Sequence, residues 1–227
     1  MPTKLDQYKG PLTPSQIAAG MNAANRNATR LATDAKLLLE NGSFATAASL
    51  AALSIEESGK GGILRGLAMV KDAGHAQSEW LKYRSHTKKN QAWILPGLVS
   101  RGARLLDDLA PLFAEDAEHP QLLDQIKQIG LYTDCLGDAH WSEPDKVVSE
   151  ELARNLVATA SLLARQREIS TEEIELWIEH FQAVAGRSVD WVNRGLVLWY
   201  RACVERGLIE GDETAMEKFI YGPGIPQ

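Results

Sequence analysis

The stretch SFATAASLAALSIEESGKGGILRGLAMVK, residues 43–71, decides the fold. Ala45, Ala47, Ala48, Ala51 and Ala52 crowd its first half, and alanine loses least on entering a helix. The preference extends outward over the whole chain, where 29 Ala and 29 Leu stand against 10 Val. Strands favour Val, Ile and aromatic residues. No stretch alternates apolar and polar residues convincingly. The expectation is an all-α bundle with no sheet. Within the opening stretch, Gly59, Gly61 and Gly62 each weaken a helix by up to about 1 kcal/mol relative to Ala. Either the helix breaks there or the glycines permit close backbone contact, and the sequence leaves both open.

Upstream, Thr13 can cap a helix, Pro14 suits its first position, and Gln16 completes a capping box. That helix should run from about Ser15 to Glu40 and stop at Asn41-Gly42. Downstream, helices are expected over His75–Ser85, Gln91–Phe113 with Pro96 near its start, and Gln121–Leu131. The last carries Leu122, Leu123, Ile126 and Ile129 on one side. Asp134–Pro144 reads as irregular. A helix from Pro144 to about Gln166 buries Leu152, Leu156, Val157, Ala160 and Leu163. Ser170-Thr171-Glu172-Glu173 opens another, to about Ala185. Val189, Val192, Leu196, Trp199, Tyr200 and Cys203 mark the next, and the tail Tyr221–Gln227 should be loose. Residues 1–14 form an N-terminal segment, 15–150 a helical domain, and 151–227 further helices packed on the same domain.

Lys and Arg number 24 and Asp and Glu 30, a net charge of −6 with pI near 5.4. Such a chain is no general nucleic-acid binder, so contact with RNA needs a local basic patch. Cys135 and Cys203 are too few for a disulfide framework or a zinc cluster, which fits the reducing cytoplasm. No apolar run reaches about 18 residues, so no membrane span is expected. The first 14 residues lack the apolar core of a secretory signal. Gly59-Lys60 is followed by Gly61 where a P-loop needs Ser or Thr. There is no nucleophile elbow, no dinucleotide fingerprint and no Glu three residues before any His. No cofactor and no metal are therefore expected. Hydrolysis by unassisted side chains, binding and regulation remain.

Three constellations carry polar chemistry on this apolar background. The first is Ser54-Ile-Glu56-Glu57-Ser-Gly-Lys60, where Glu56 and Lys60 stand at the favourable i, i+4 spacing. It is either a solvated helix face or a cleft. The second runs from Trp80 through Lys82, Tyr83, Arg84, His86 and Lys88 to Lys89. Cations neutralise phosphates, aromatic faces stack bases, and histidine's ordinary pKa lies nearest neutrality. An exposed helix end is the plainer account. The third is Lys127, Tyr132 and Asp134, followed by His140, Trp141 and Pro144. Its aromatic residues fit a core equally well.

In order and spacing these segments resemble the AbiV branch of the HEPN superfamily, the abortive-infection proteins of bacterial phage defence. The resemblance spans about residues 15–150. It implies an all-α homodimer with a composite cleft, acting on RNA or the translation machinery and responsive to a phage protein. Many HEPN proteins are metal-independent ribonucleases in which an Arg holds the scissile phosphate and a His a few residues later moves the proton. No His here has Arg four to six residues before it, and the counterpart by position is Lys127 and Tyr132. The resemblance implies His86, Tyr132 and Lys127 as catalytic residues, and Arg84, Lys88 and Lys60 on phosphate. Glu57, Glu56 and Asp134 would orient them, with Glu57 holding a cation such as Lys127. The alternative is a non-catalytic helical module that inhibits a phage or host protein by contact. HEPN-like proteins usually pair across helices such as the Ala-rich one, so Ala48 and Ala51 are expected at the dimer interface unless they pack inside one chain.

Overall fold

Thr13 starts the first helix as its neighbours require. Its hydroxyl accepts from the Gln16 N–H at 3.2 Å, and the Gln16 side chain accepts from the Thr13 N–H at 2.9 Å. The structure is a computed structural model that describes residues 6–114, 116–165 and 167–223. Helix α1 covers Pro14–Glu40, and the chain turns at Asn41-Gly42, with Gly42 at φ +77°. Helix α2 covers Phe44–Ala68 and passes unbroken through all three glycines. The first half of α2 is the centre of the molecule. Ala45, Ala47, Ala48, Ala51 and Ala52 are at most 1% exposed.

Around them pack Ala28, Ala32 and Ala35 of α1, together with Leu156, Val157 and Ala160 of α7 (Glu150–Leu163). The smooth alanine face is therefore consumed inside one chain, and the expected dimer contact at Ala48 and Ala51 is corrected. A charge placed there would enter a dry core rather than a subunit interface.

Helix α3 covers Ala73–Arg84, and its start is capped by Asp72 accepting from the His75 N–H at 2.8 Å. The long helix expected over Gln91–Phe113 is absent. In its place stand a 3-10 turn at Gln91–Ile94, a short helix α4 at Leu95–Ser100, and a second 3-10 turn at Asp107–Leu112. Gly102 at φ +107° ends α4, and Pro111 lacks the N–H that a continuing helix would use. Helix α5 covers His119–Ile129 and buries Leu123 and Ile126 against α2, while Leu122 is exposed. The segment read as irregular, and the expectation of no sheet, are corrected by a small antiparallel hairpin. Strands β1 (Asp134–Leu136) and β2 (His140–Ser142) place Cys135 opposite Trp141.

The helix expected from Pro144 to Gln166 is two. After α6 (Pro144–Val147), Val148 is extended and Ser149 caps α7 by accepting from the Leu152 N–H. The chain beyond α7 is clamped to α1. The Asn22 amide exchanges two 2.8 Å hydrogen bonds with the Ile169 backbone, and the Thr29 hydroxyl donates to the Ala164 carbonyl. Helix α8 (Thr171–Gln182) starts at Ser170, whose hydroxyl accepts from the Glu173 N–H. Helix α9 covers Val189–Glu205, and a further helix α10 (Ala215–Tyr221) precedes the expected loose tail. Residues 224–227 of that tail, and residues 1–5 of the N-terminal segment, lie outside the described residues.

Between α2 and α8, Glu173 is wholly buried, 3.3 Å from Arg65 and 2.6 Å from Arg167. The Arg65 guanidinium lies over the rings of Trp177 and Trp199. Among the described residues no helix is long and apolar enough to cross a membrane.

Candidate functional site

Glu56 follows Ala48 and Ala52 at four-residue steps, so it sits on the buried stripe of α2 and not on its outer face. It is 3% exposed. A carboxylate at that depth must be paired, and three groups from two other segments converge on it. Lys127 of α5 brings Nζ within 2.7 Å of Glu56 Oε1 and within 2.6 Å of Asp124 Oδ1. His86 places Nδ1 2.6 Å from Glu56 Oε2. Lys89, also buried, places Nζ 3.6 Å from the same oxygen.

Two backbone features build this convergence. The turn carrying His86 and Lys89 closes through a Lys89 N–H to His86 carbonyl bond of 3.0 Å. It lies directly on α2 at Gly59, where a Cβ would stand 2.0 Å from the Lys89 carbonyl oxygen. Gly59 therefore serves close contact, the second of the two openings the sequence left, whereas a Cβ at Gly61 would meet the Met21 side chain at an ordinary 3.6 Å and one at Gly62 would meet nothing. The C-terminal end of α5 meets α2 at Ser49, whose hydroxyl is 3.2 Å from the Lys127 carbonyl.

Burial by itself would raise the Glu56 pKa, but hydrogen bonds from Lys127 and His86 outweigh it and hold the carboxyl below its ordinary range. Burial would likewise lower Lys127, and its bonds to Asp124 and Glu56 reverse this and raise it. For Lys89 burial dominates over the attraction of Glu56, and its pKa is lowered.

An ionised Glu56 only accepts, so the 2.6 Å contact requires a proton on His86 Nδ1. Lys127 Nζ lies 3.3 Å from that nitrogen. Both groups are donors directed at one carboxylate. In the neutral ring Nε2 then carries the free lone pair. The His86 side chain is 54% exposed, against 4% for Glu56 and 5% for Lys127. The cluster is thus a buried, paired carboxylate with an imidazole at its mouth.

Glu56, His86 and Asp124 also offer three ligand atoms within 4.8 Å of one another. Lys127 Nζ stands among these atoms, so a metal ion there would meet an ammonium charge. The carboxylates of Glu56 and Asp124 balance the ammonium groups of Lys127 and Lys89, and these buried cations are turned inward.

The other residues singled out from sequence lie apart from this cluster. Glu57 pairs with Lys60 at 2.6 Å, and Lys60 sits 5.1 Å from the centre of the Tyr83 ring. The i, i+4 pair expected between Glu56 and Lys60 is therefore replaced by an i, i+3 pair, and the carboxylate holding Lys127 is Glu56 and not Glu57. The reason is rotation. One residue along a helix is about 100°, which turns Glu56 toward α5 and Glu57 toward α3. Arg84 donates to the Tyr8 carbonyl at 2.6 Å and packs over Trp80, tying down the N-terminal segment. Lys88 is exposed. Tyr132 is 62% exposed, and the Asp134 carboxylate accepts from the Cys135 N–H at 2.7 Å. Tyr132 and Asp134 lie beyond the end of α5 and share no hydrogen bond or ion pair with the cluster among the described residues.

One member of the cluster, Asp124, is not singled out by the sequence, and Lys89 enters it only as the end of the basic run. Asp124 stands one helical turn before Lys127, a spacing visible in the sequence. Lys89 carried no signal beyond its place in the basic run, because a loop's docking site is not encoded locally.

A family model described as AbiV, of the HEPN group, matches residues 16–165. No curated protein and no solved structure matches the chain.

Proposed function

Because the chain belongs to the AbiV family of HEPN proteins, a family tied to abortive infection and phage defence, we propose that it acts on RNA without a metal ion, with His86 as the proton-transfer group. One observation carries this reading. The most exposed member of the Glu56 cluster is an imidazole whose inner nitrogen is fixed by a 2.6 Å bond to a buried carboxylate. That arrangement orients the ring and sets its tautomer. Nε2 takes the proton of a ribose 2′-hydroxyl as that oxygen attacks the adjacent phosphorus. The 5′-oxygen leaves with a proton from solvent, and a cyclic phosphate remains. Lys88, exposed and two residues beyond His86, supplies a cation for the substrate backbone.

The test is total RNA incubated with the purified protein in EDTA. His86→Gln should lose about 10²-fold or more of the cleavage rate while melting as the wild type does. A well-folded His86→Gln protein that cleaves at the original rate would overturn the assignment.

A second reading, a contact inhibitor without catalysis, draws on the buried Lys89 and Lys127, the cluster's own cations, which are paired with Glu56 and Asp124. It predicts no cleavage by the wild type and full phage protection from His86→Gln in cells. Homodimerisation and response to a phage protein stay within the proposal. Light scattering of the wild type at micromolar concentration tests the first, and a monomer would remove it.

A further inference from the structure

The Glu56 cluster is charge-balanced, so an RNA strand must be held by cations elsewhere. The last third of the chain, beyond the family match, offers a surface suited to that. After α8 the chain turns through Gly186-Arg187, and the first two turns of α9 present Trp191 and Arg194. Trp191 is 44% exposed. The Arg187 guanidinium lies 4.6 Å and the Arg194 guanidinium 5.9 Å from the Trp191 ring centre. Both arginines are exposed, and among the described residues neither takes part in an ion pair. These side chains border a groove of about 500 Å³ between α8 and α9, floored by the buried Val184 and lined also by Leu198 and His180. Glu179 is the acidic residue of its lining. Arg194 also borders the adjoining groove, where Arg201 is neutralised by Glu217 at 3.4 Å.

We propose that the Arg187–Trp191–Arg194 surface binds single-stranded RNA, one base stacking on the indole or its flanking guanidinium while the arginines meet the neighbouring phosphates. Two guanidinium groups without ion-pair partners around an exposed indole match the alternation of phosphate and base in a single strand. An acidic peptide would satisfy the arginines but leave the apolar floor and the indole without a role. The choice of RNA over DNA rests on the function proposed above. The location of the surface does not depend on it, because no residue is shared with the Glu56 cluster.

The experiment measures fluorescence anisotropy of a labelled single-stranded RNA 20-mer with the full chain across a salt series. Arg187→Gln with Arg194→Gln should weaken binding about tenfold and flatten the salt slope by about 1.4, at about 0.7 for each phosphate no longer neutralised. Trp191→Ala should weaken binding at least about fivefold at all salt concentrations. Each variant should melt like the wild type, since the side chains are exposed. Arg154→Gln, at an exposed arginine of α7 outside both sites, should bind RNA with wild-type affinity and slope, which controls for surface charge in general. Loss of binding in the arginine variant supports this surface whether or not His86→Gln loses cleavage. Wild-type affinity and slope in the folded arginine variant would overturn this one whatever the cleavage assay shows. Displacement of the RNA by poly-glutamate at equal charge concentration would mean attraction by charge alone, and would overturn the stacking role.

Discussion

Glu56 and Glu173 are both buried carboxylates beside two cations, Glu56 projecting from helix α2 and Glu173 reaching it from α8. They differ in what closes the site. Glu173 is closed by guanidinium groups, Arg65 over two tryptophan rings and Arg167 facing solvent, and the Cys203 thiol, buried nearby, is pushed up to about 11. Glu56 has Lys127 and Lys89 behind it and an imidazole in front that reaches solvent. The same ion-pair chemistry ends in a guanidinium, which stays charged, in one place and in an imidazole in the other. The group facing solvent distinguishes them, since depth and pairing are alike.

The comparison breaks first at Glu173. Glu173→Ala leaves the Arg65 guanidinium without its carboxylate in a largely buried site, and should cost about 3–5 kcal/mol. Calorimetry should show a melting temperature lower by roughly 10 °C, and an unchanged transition would mean that the pair contributes nothing. Next is Gly59→Ala, whose methyl group would collide with the Lys89 backbone. The turn must lift from α2, at about 1–3 kcal/mol. His86 should separate from Glu56, so RNA cleavage should fall more steeply than stability.

Titration sharpens the contrast. Glu56 holds its proton less readily when folded, so the stability it contributes is complete above its ordinary value of 4.5 and is lost as pH falls through its folded value. Lys127 holds its proton more readily when folded. Its contribution is complete below its ordinary 10.5 and is lost as pH rises through its folded value. Denaturant midpoints of Glu56→Gln should be flatter with pH at the acidic end than those of the wild type, and parallel curves would contradict the pairing. The smallest effect is expected from Tyr132→Phe. The hydroxyl lies on a side chain that is 62% exposed and outside both clusters, so stability should change by less than about 0.5 kcal/mol. A large loss of cleavage in this variant would return Tyr132 to the site.

What was legible in the sequence follows local physics. Thr13, Pro14 and Gln16 announce α1, and Ser170 announces α8, because caps are made by residues a few positions apart. The Gln91–Phe113 segment misleads because its apolar residues suggest a helix while Pro96, Gly102 and Pro111 cut it into turns. Glu56 and Glu57 are adjacent in sequence and exchange roles on rotation about the helix axis. The alanine stripe at 48 and 52 points to 56, and following it one step further would have separated them. The placement of His86 depends on a turn settling on Gly59, a contact between segments that no local pattern records.

Asn22 has a further consequence. It acts on Ile169 as a neighbouring strand would, giving and receiving one hydrogen bond, and Arg65 depends on Glu173 across the same seam. The family match stops at residue 165, and cutting there would sever both. The fragment would also lose Ile169 and Ile174 from the core that Ile17, Met21, Leu64 and Leu67 share with them, so the segment covered by the family match should be less stable alone than within the chain.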